Sequence, residues 1–186
     1  MRKTLLLFTT MALALLLAAG AAWAALPAPT VVSTVPDTTV VPLPTNVLRT
    51  ADITAKFSEA MSTKSLGISN HSTTTPPSTD SSKTFYLLKG QFIGSATSPF
   101  KNPPRFCAPP GTDPSTAPPC PAPITATVSY NAGIFTATLD PSSTLLPNTT
   151  YTAVVEGTND GDKVSVKDAD GTPMASDRIF SFTTAP

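Results

Sequence analysis

The sequence predicts an all-β chain folded as a sandwich of two antiparallel sheets, and three observations carry that reading. Seven segments of four to seven residues place apolar side chains at alternate positions or in short apolar runs, the pattern of strands that bury one face or both. Pro, Gly, Asn and Asp punctuate these segments, and no stretch shows strong helical periodicity. Charged residues are 13% of the 186 positions, about half the roughly 25% usual in soluble domains, while Pro occurs 21 times. That balance excludes a coiled coil and opposes a helix-rich enzyme. A formal charge of +0 opposes electrostatic binding to nucleic acid.

The elements follow in order. Thr30–Val35 is a strand stopped by Pro36-Asp37. Asp52–Phe57 puts Ile53, Ala55 and Phe57 on one face and Asp52, Thr54 and Lys56 on the other. One helical turn is expected at Ser62–Leu66, where the chain crosses between sheets. Thr84–Leu88 is a short apolar strand ended by Lys89-Gly90. Ile124–Tyr130 alternates strictly, with Ile124, Ala126, Val128 and Tyr130 inward. Asn131-Ala132-Gly133 then predicts a tight hairpin into Ile134–Leu139, closed by Asp140-Pro141. Tyr151–Glu156 and Arg178–Thr183 complete the set, and Phe180 and Phe182 are expected in the core. Abundant Thr supplies the outward positions, because its β-branch favours extended backbone and its hydroxyl stays hydrated.

Residues 1–24 read as a secretory signal peptide. Arg2 and Lys3 precede an apolar run from Leu5 to Ala19, and Ala22-Trp23-Ala24 presents the small residues of a cleavage site before Ala25. The apolar run is shorter than the roughly 20 residues that span a bilayer. The expected domain is therefore residues 25–186, and its charge is −2, because Arg2 and Lys3 leave 10 basic against 12 acidic residues. The expected location is secreted, periplasmic or cell-surface, with no membrane insertion after cleavage. Two stretches break the strand pattern. Ser69–Ser82 is almost purely polar, and Gln91–Pro123 is an inserted loop in which ten prolines between Pro99 and Pro123 remove ladder donors.

Pro29–Pro36 resembles the opening of the bacterial Ig-like domain of the SbsA type, found in surface-layer and secreted proteins. Ile53–Met61, with its Phe57-Ser58-Glu59-Ala60-Met61 turn, resembles that family's second strand. The resemblance continues in Val128–Tyr130, Leu146–Thr152 and Asp168–Met174, and ends in Phe180–Thr184. It implies an Ig-like β-sandwich serving as a spacer, adhesive or structural module, with no family active site. The Pro-rich insertion is outside the usual family pattern.

Candidate chemistry is sparse. Cys107 and Cys120, both in the insertion of an exported chain, are expected to form a disulfide worth about 3 kcal/mol of loop closure. His71 lies in the polar loop without a second His or a Cys neighbour, so a solvated side chain is expected. Asp160, Asp162, Asp168 and Asp170, with Gly161 and Gly171, offer only part of a Ca²⁺ loop, and tight turns use the same residues. Asp52 and Glu59 lie about a strand length apart and gather no sugar-binding aromatic residues. No catalytic, cofactor-binding or metal-binding residue is therefore expected. The expected function is a non-catalytic secreted or cell-envelope module with a structural or protein-binding role, its partner a protein or envelope component and not nucleic acid. The second reading is a carbohydrate- or Ca²⁺-dependent binding or accessory module of an extracellular hydrolase system.

Overall fold

In the computed structural model, described here for residues 27–37, 43–68, 84–92, 107–108, 123–158 and 165–186, alternate apolar positions build two facing sheets. The first contains β1 (Val31–Val35), β2 (Ile53–Phe57), β6 (Ala126–Asn131) and β7 (Thr136–Pro141), in the spatial order β1-β2-β7-β6. The second contains β3 (Phe85–Lys89), β8 (Thr150–Val155) and β9 (Arg178–Thr183), in the order β3-β8-β9. Every pairing within these sheets is antiparallel. Four strands facing three in this order give the constant-type Ig arrangement, so the Ig-like sandwich expected from sequence is the fold found.

The core forms where the two inner faces meet. Ile53, Ala55 and Phe57 on β2 and Ala137 and Leu139 on β7 face Phe85 and Leu87 on β3, Tyr151, Ala153 and Val155 on β8, and Phe180 and Phe182 on β9. Ile124, Ala126, Val128 and Tyr130 pack inward as expected but stay half-buried, because β6 is an edge strand. The expected helical turn is present: Leu66 N donates to Ser62 O at 3.2 Å, and Leu66 plugs the core at 1% exposure.

Tyr151 ties the sheets to their connection. Its ring stacks on Phe182 with centroids 6.0 Å apart, and its hydroxyl accepts from Leu146 N at 2.9 Å. This is the tyrosine corner of Ig sandwiches. Ala153, two residues later, stands where antibody domains carry the second cysteine of their inter-sheet disulfide. The first strand region serves both sheets. β1 pairs with β2, and after Pro36 the chain reaches Val47, which bridges in parallel to Thr184 beyond β9.

Two details differ from the sequence expectation. Asn131 pairs with Thr136, so Ala132–Phe135 forms the hairpin loop and β7 begins two residues later than predicted. Asn131 Oδ1 accepts from Gly133 N at 3.0 Å, and Phe135, in the left-handed region at φ 54°, gives its carbonyl to Phe57 N. Side-chain capping and that link to β2 set the longer turn. The second difference lies in the insertion. Gln91–Phe92 (β4) and Cys107–Ala108 (β5) pair as a short antiparallel ladder inside Gln91–Pro123. The prolines begin at Pro99, so these four residues keep their donors.

Tyr151→Phe is expected to lower stability by about 1–2 kcal/mol, since the Leu146 amide loses its acceptor. Leu87→Ala, at a fully buried site, is expected to cost about 2–5 kcal/mol. Urea unfolding checks both: the midpoint falls while the slope is unchanged.

Candidate functional site

The two sheets differ sharply on their outer faces. On the four-stranded sheet, Ser33, Thr54, Lys56, Thr127, Ser129, Thr138 and Asp140 point outward and reach water. This is the Thr-rich polar surface that the composition predicts. On the three-stranded sheet, the residues between the core positions are mostly apolar and are covered, with Thr152 and Ser181 the buried polar members. Tyr86, Leu88 and Val154 are 6%, 3% and 2% exposed, and half-buried Ile179 packs with them.

Register explains how this second cluster is assembled. Tyr86 stands opposite Val154, which stands opposite Ile179; Leu88 stands opposite Thr152, which stands opposite Ser181. These two cross-strand rows form one continuous outer patch. Polar members of the face bond one another. Thr152 and Ser181 hydroxyls lie 2.7 Å apart, and the Tyr86 hydroxyl donates to Glu156 Oε1 at the upper rim. Glu156 is 4% exposed, a burial that sequence reasoning did not foresee.

The insertion leaves the sheet on this side. Gly90, at φ 106°, bends the chain after β3, and Thr152 Oγ1 donates to the Gly90 carbonyl at 2.8 Å. Thr152 belongs to the outer face, so the bond draws the chain out of the sheet plane there. β4 then lies against β8. The insertion returns at Ile124, whose amide donates to Leu87 O on the free edge of β3 at 2.8 Å. Of the insertion's described ends, Gly90 is thus bonded to Thr152 of the outer face, while Ile124 packs against the inner core.

The other sequence candidates fall apart in space or outside the described residues. Asp168 is 2% exposed, and its Oδ1 accepts from Thr172 N at 2.7 Å, which makes it the organiser of a turn with Gly171 at φ 94°. Its Oδ2 has no hydrogen-bond partner, while Asp170 is exposed. Among the described residues no group of three His, Cys, Asp or Glu is placed to hold a metal. Asp52 is exposed at the start of β2 and Glu59 is half-buried beyond its other end. His71, Asp160, Asp162 and Cys120 lie outside the described residues, as do residues 1–24 and Ser69–Ser82; of Cys107 only the backbone is described. A gap of about 70 Å³ opens between the sheets beside Leu66, Phe85, Val128 and Leu139, well below the few hundred Å³ of a small-molecule site. Among the described residues no helix is long and apolar enough to cross a membrane.

No curated protein matches the chain in sequence. Among solved structures, domains 1–6 of the surface layer protein SbsC are similar at 15% identity and TM-score 0.43, over 87% of this chain and 14% of that one. The methionine-rich copper resistance protein PcoC from Escherichia coli is similar at 16% identity and TM-score 0.44, over 85% of this chain and 99% of its own. The chain thus spans a small part of SbsC and nearly the whole of PcoC. Residues 110–184, which include β6 to β9, match the family model described as bacterial Ig-like domain.

Proposed function

We propose that this chain is a non-catalytic Ig-like module of the SbsA type, exported to the cell envelope or beyond, with a structural or protein-binding role. The observation that carries the reading is the filled constant-type sandwich with its tyrosine corner, joined to the bacterial Ig-like match over residues 110–184. The described carboxylates serve turns and rims rather than converging on a cleft. Met61 and Met174 are core residues at 4% and 2% exposure, so neither thioether is displayed to a soluble metal.

In this reading residues 1–24 are removed on export, and residues 25–186 act as one domain. Cys107 and Cys120 close the insertion through a disulfide, and the insertion is the contact surface for a protein or envelope component. Pro-rich chain is suited to that task because it loses little conformational entropy when it binds.

N-terminal sequencing of the exported protein is expected to begin at Ala25, and a mature product that retains Met1 overturns the export reading. Peptide mapping without reductant is expected to return one peptide pair joined through Cys107 and Cys120 that separates on reduction. Deletion of residues 93–122 is expected to abolish recovery of the binding partner from envelope extracts while the sandwich still melts cooperatively. Unchanged recovery removes the insertion from the contact.

A further inference from the structure

We propose that the free edge of β6 pairs antiparallel with the same edge of a second copy of this chain, so that two four-stranded sheets join into one. The edge is separate from the insertion, and the inference does not depend on the partner-binding reading above.

The sandwich has four edge strands, β1, β6, β3 and β9, and three of them are interrupted. β1 carries a bulge between Val31 and Ser33 and stops at Pro36. On β3 the Leu87 carbonyl accepts from Ile124 N, and on β9 the Thr183 amide and carbonyl bond to Pro44 O and Val47 N. β6 differs. It runs from Ala126 to Asn131 in unbroken register with β7 and contains neither Pro nor a charged side chain. Bulges, prolines and edge charges are the devices that keep edges from pairing, and β6 has none of them.

Parity fixes which backbone groups are on offer. Ser142 N donates to Thr125 O at 2.9 Å, so the odd-numbered residues of this strand turn their amides and carbonyls to β7. Ala126, Val128 and Tyr130 turn theirs to the open side, where no described segment bonds them.

The edge complements itself. A two-fold axis at Val128 sets Val128 opposite the partner's Val128 and Ala126 opposite the partner's Tyr130, and each such pair exchanges two main-chain hydrogen bonds. Small Ala126 leaves room for the tyrosine ring, which is already held in place because Met61 N donates to the Tyr130 hydroxyl at 2.8 Å. On the outer face exposed Thr127 stands opposite the partner's Ser129, a hydroxyl pair free of like charge. Ala126 and Val128 are half-buried and line the gap of about 70 Å³ beside Leu66 and Phe85, so a further strand adds apolar contact there. One strand pair is a small interface, and the dimer is therefore weak and dependent on concentration.

Sedimentation equilibrium on the chain with its insertion intact is expected to show monomer and dimer in exchange. A monomer up to millimolar concentration overturns the proposal. Charge placement tests the edge and its register together and separates this dimer from association through any other part of the chain. Thr127→Lys with Ser129→Lys sets Lys against Lys in both outer pairs, at exposed sites that leave the sandwich melting as before, and is expected to abolish the dimer. Thr127→Lys with Ser129→Glu sets Lys against Glu and is expected to restore it. A dimer that survives the first variant, or that a folded second variant does not restore, rejects the pairing. If the Lys variant does not fold, hydrogen exchange of the Val128 amide in the unmodified chain decides. It is expected to quicken several-fold on dilution from dimer to monomer, and a rate independent of concentration removes β6 from the interface.

Discussion

Burial of alternate side chains between two sheets is the constraint on which the rest of this molecule depends. β2 presents Ile53, Ala55 and Phe57 to the interior and β9 presents Phe180 and Phe182, so each strand has one permitted register. A slip of one residue would turn Thr54 and Lys56 inward and expel three apolar side chains. The Tyr151 ring shares this dry interface while its hydroxyl fastens the Leu146 backbone at its margin. Packing and hydrogen bonding meet in that one residue, which fastens the connection that crosses from β7 in one sheet to β8 in the other.

The outer faces obey a different rule on each side. Thr, Ser and Lys on the four-stranded face leave it hydrated, and the low overall charge follows because hydroxyls fill positions that charged residues usually take. The three-stranded face is an interior surface by chemistry, although it lies outside the sandwich. Polar atoms bond one another along it: Thr152 bonds Ser181 and Gly90, and Tyr86 bonds Glu156. The two outer faces are thus asymmetric, one polar and open to water, the other largely apolar and buried.

Most of the sandwich was legible because a two-residue period leaves little choice. Ile53, Ala55, Phe57, Phe180 and Phe182 are where their spacing put them. The turn at Phe135 was not legible, since an Asn-Ala-Gly sequence suggests a left-handed Gly and the left-handed residue is Phe135, fixed by a long-range bond to β2. The burial of Glu156 depends on Tyr86, seventy positions away in sequence, and local pattern carries no trace of such a pair. Double burial of β3 did leave a signal: Phe85-Tyr86-Leu87-Leu88 has no polar alternation at all, the mark of a strand covered on both faces. The family match begins at residue 110, so the strands β1, β2 and β3 are placed by packing and topology rather than by that likeness.

The split first strand has a mechanical consequence. The segment from Pro44 to Val47 runs parallel to β9 and is held by Thr183 N to Pro44 O, Val47 N to Thr183 O and Ala185 N to Val47 O, at 2.8, 3.1 and 2.8 Å. Tension that enters ahead of Pro44 and leaves after Ala185 drags these two segments lengthwise in opposite directions. The three bonds then share the load together instead of opening one at a time, and the sandwich resists stretching as a shear clamp.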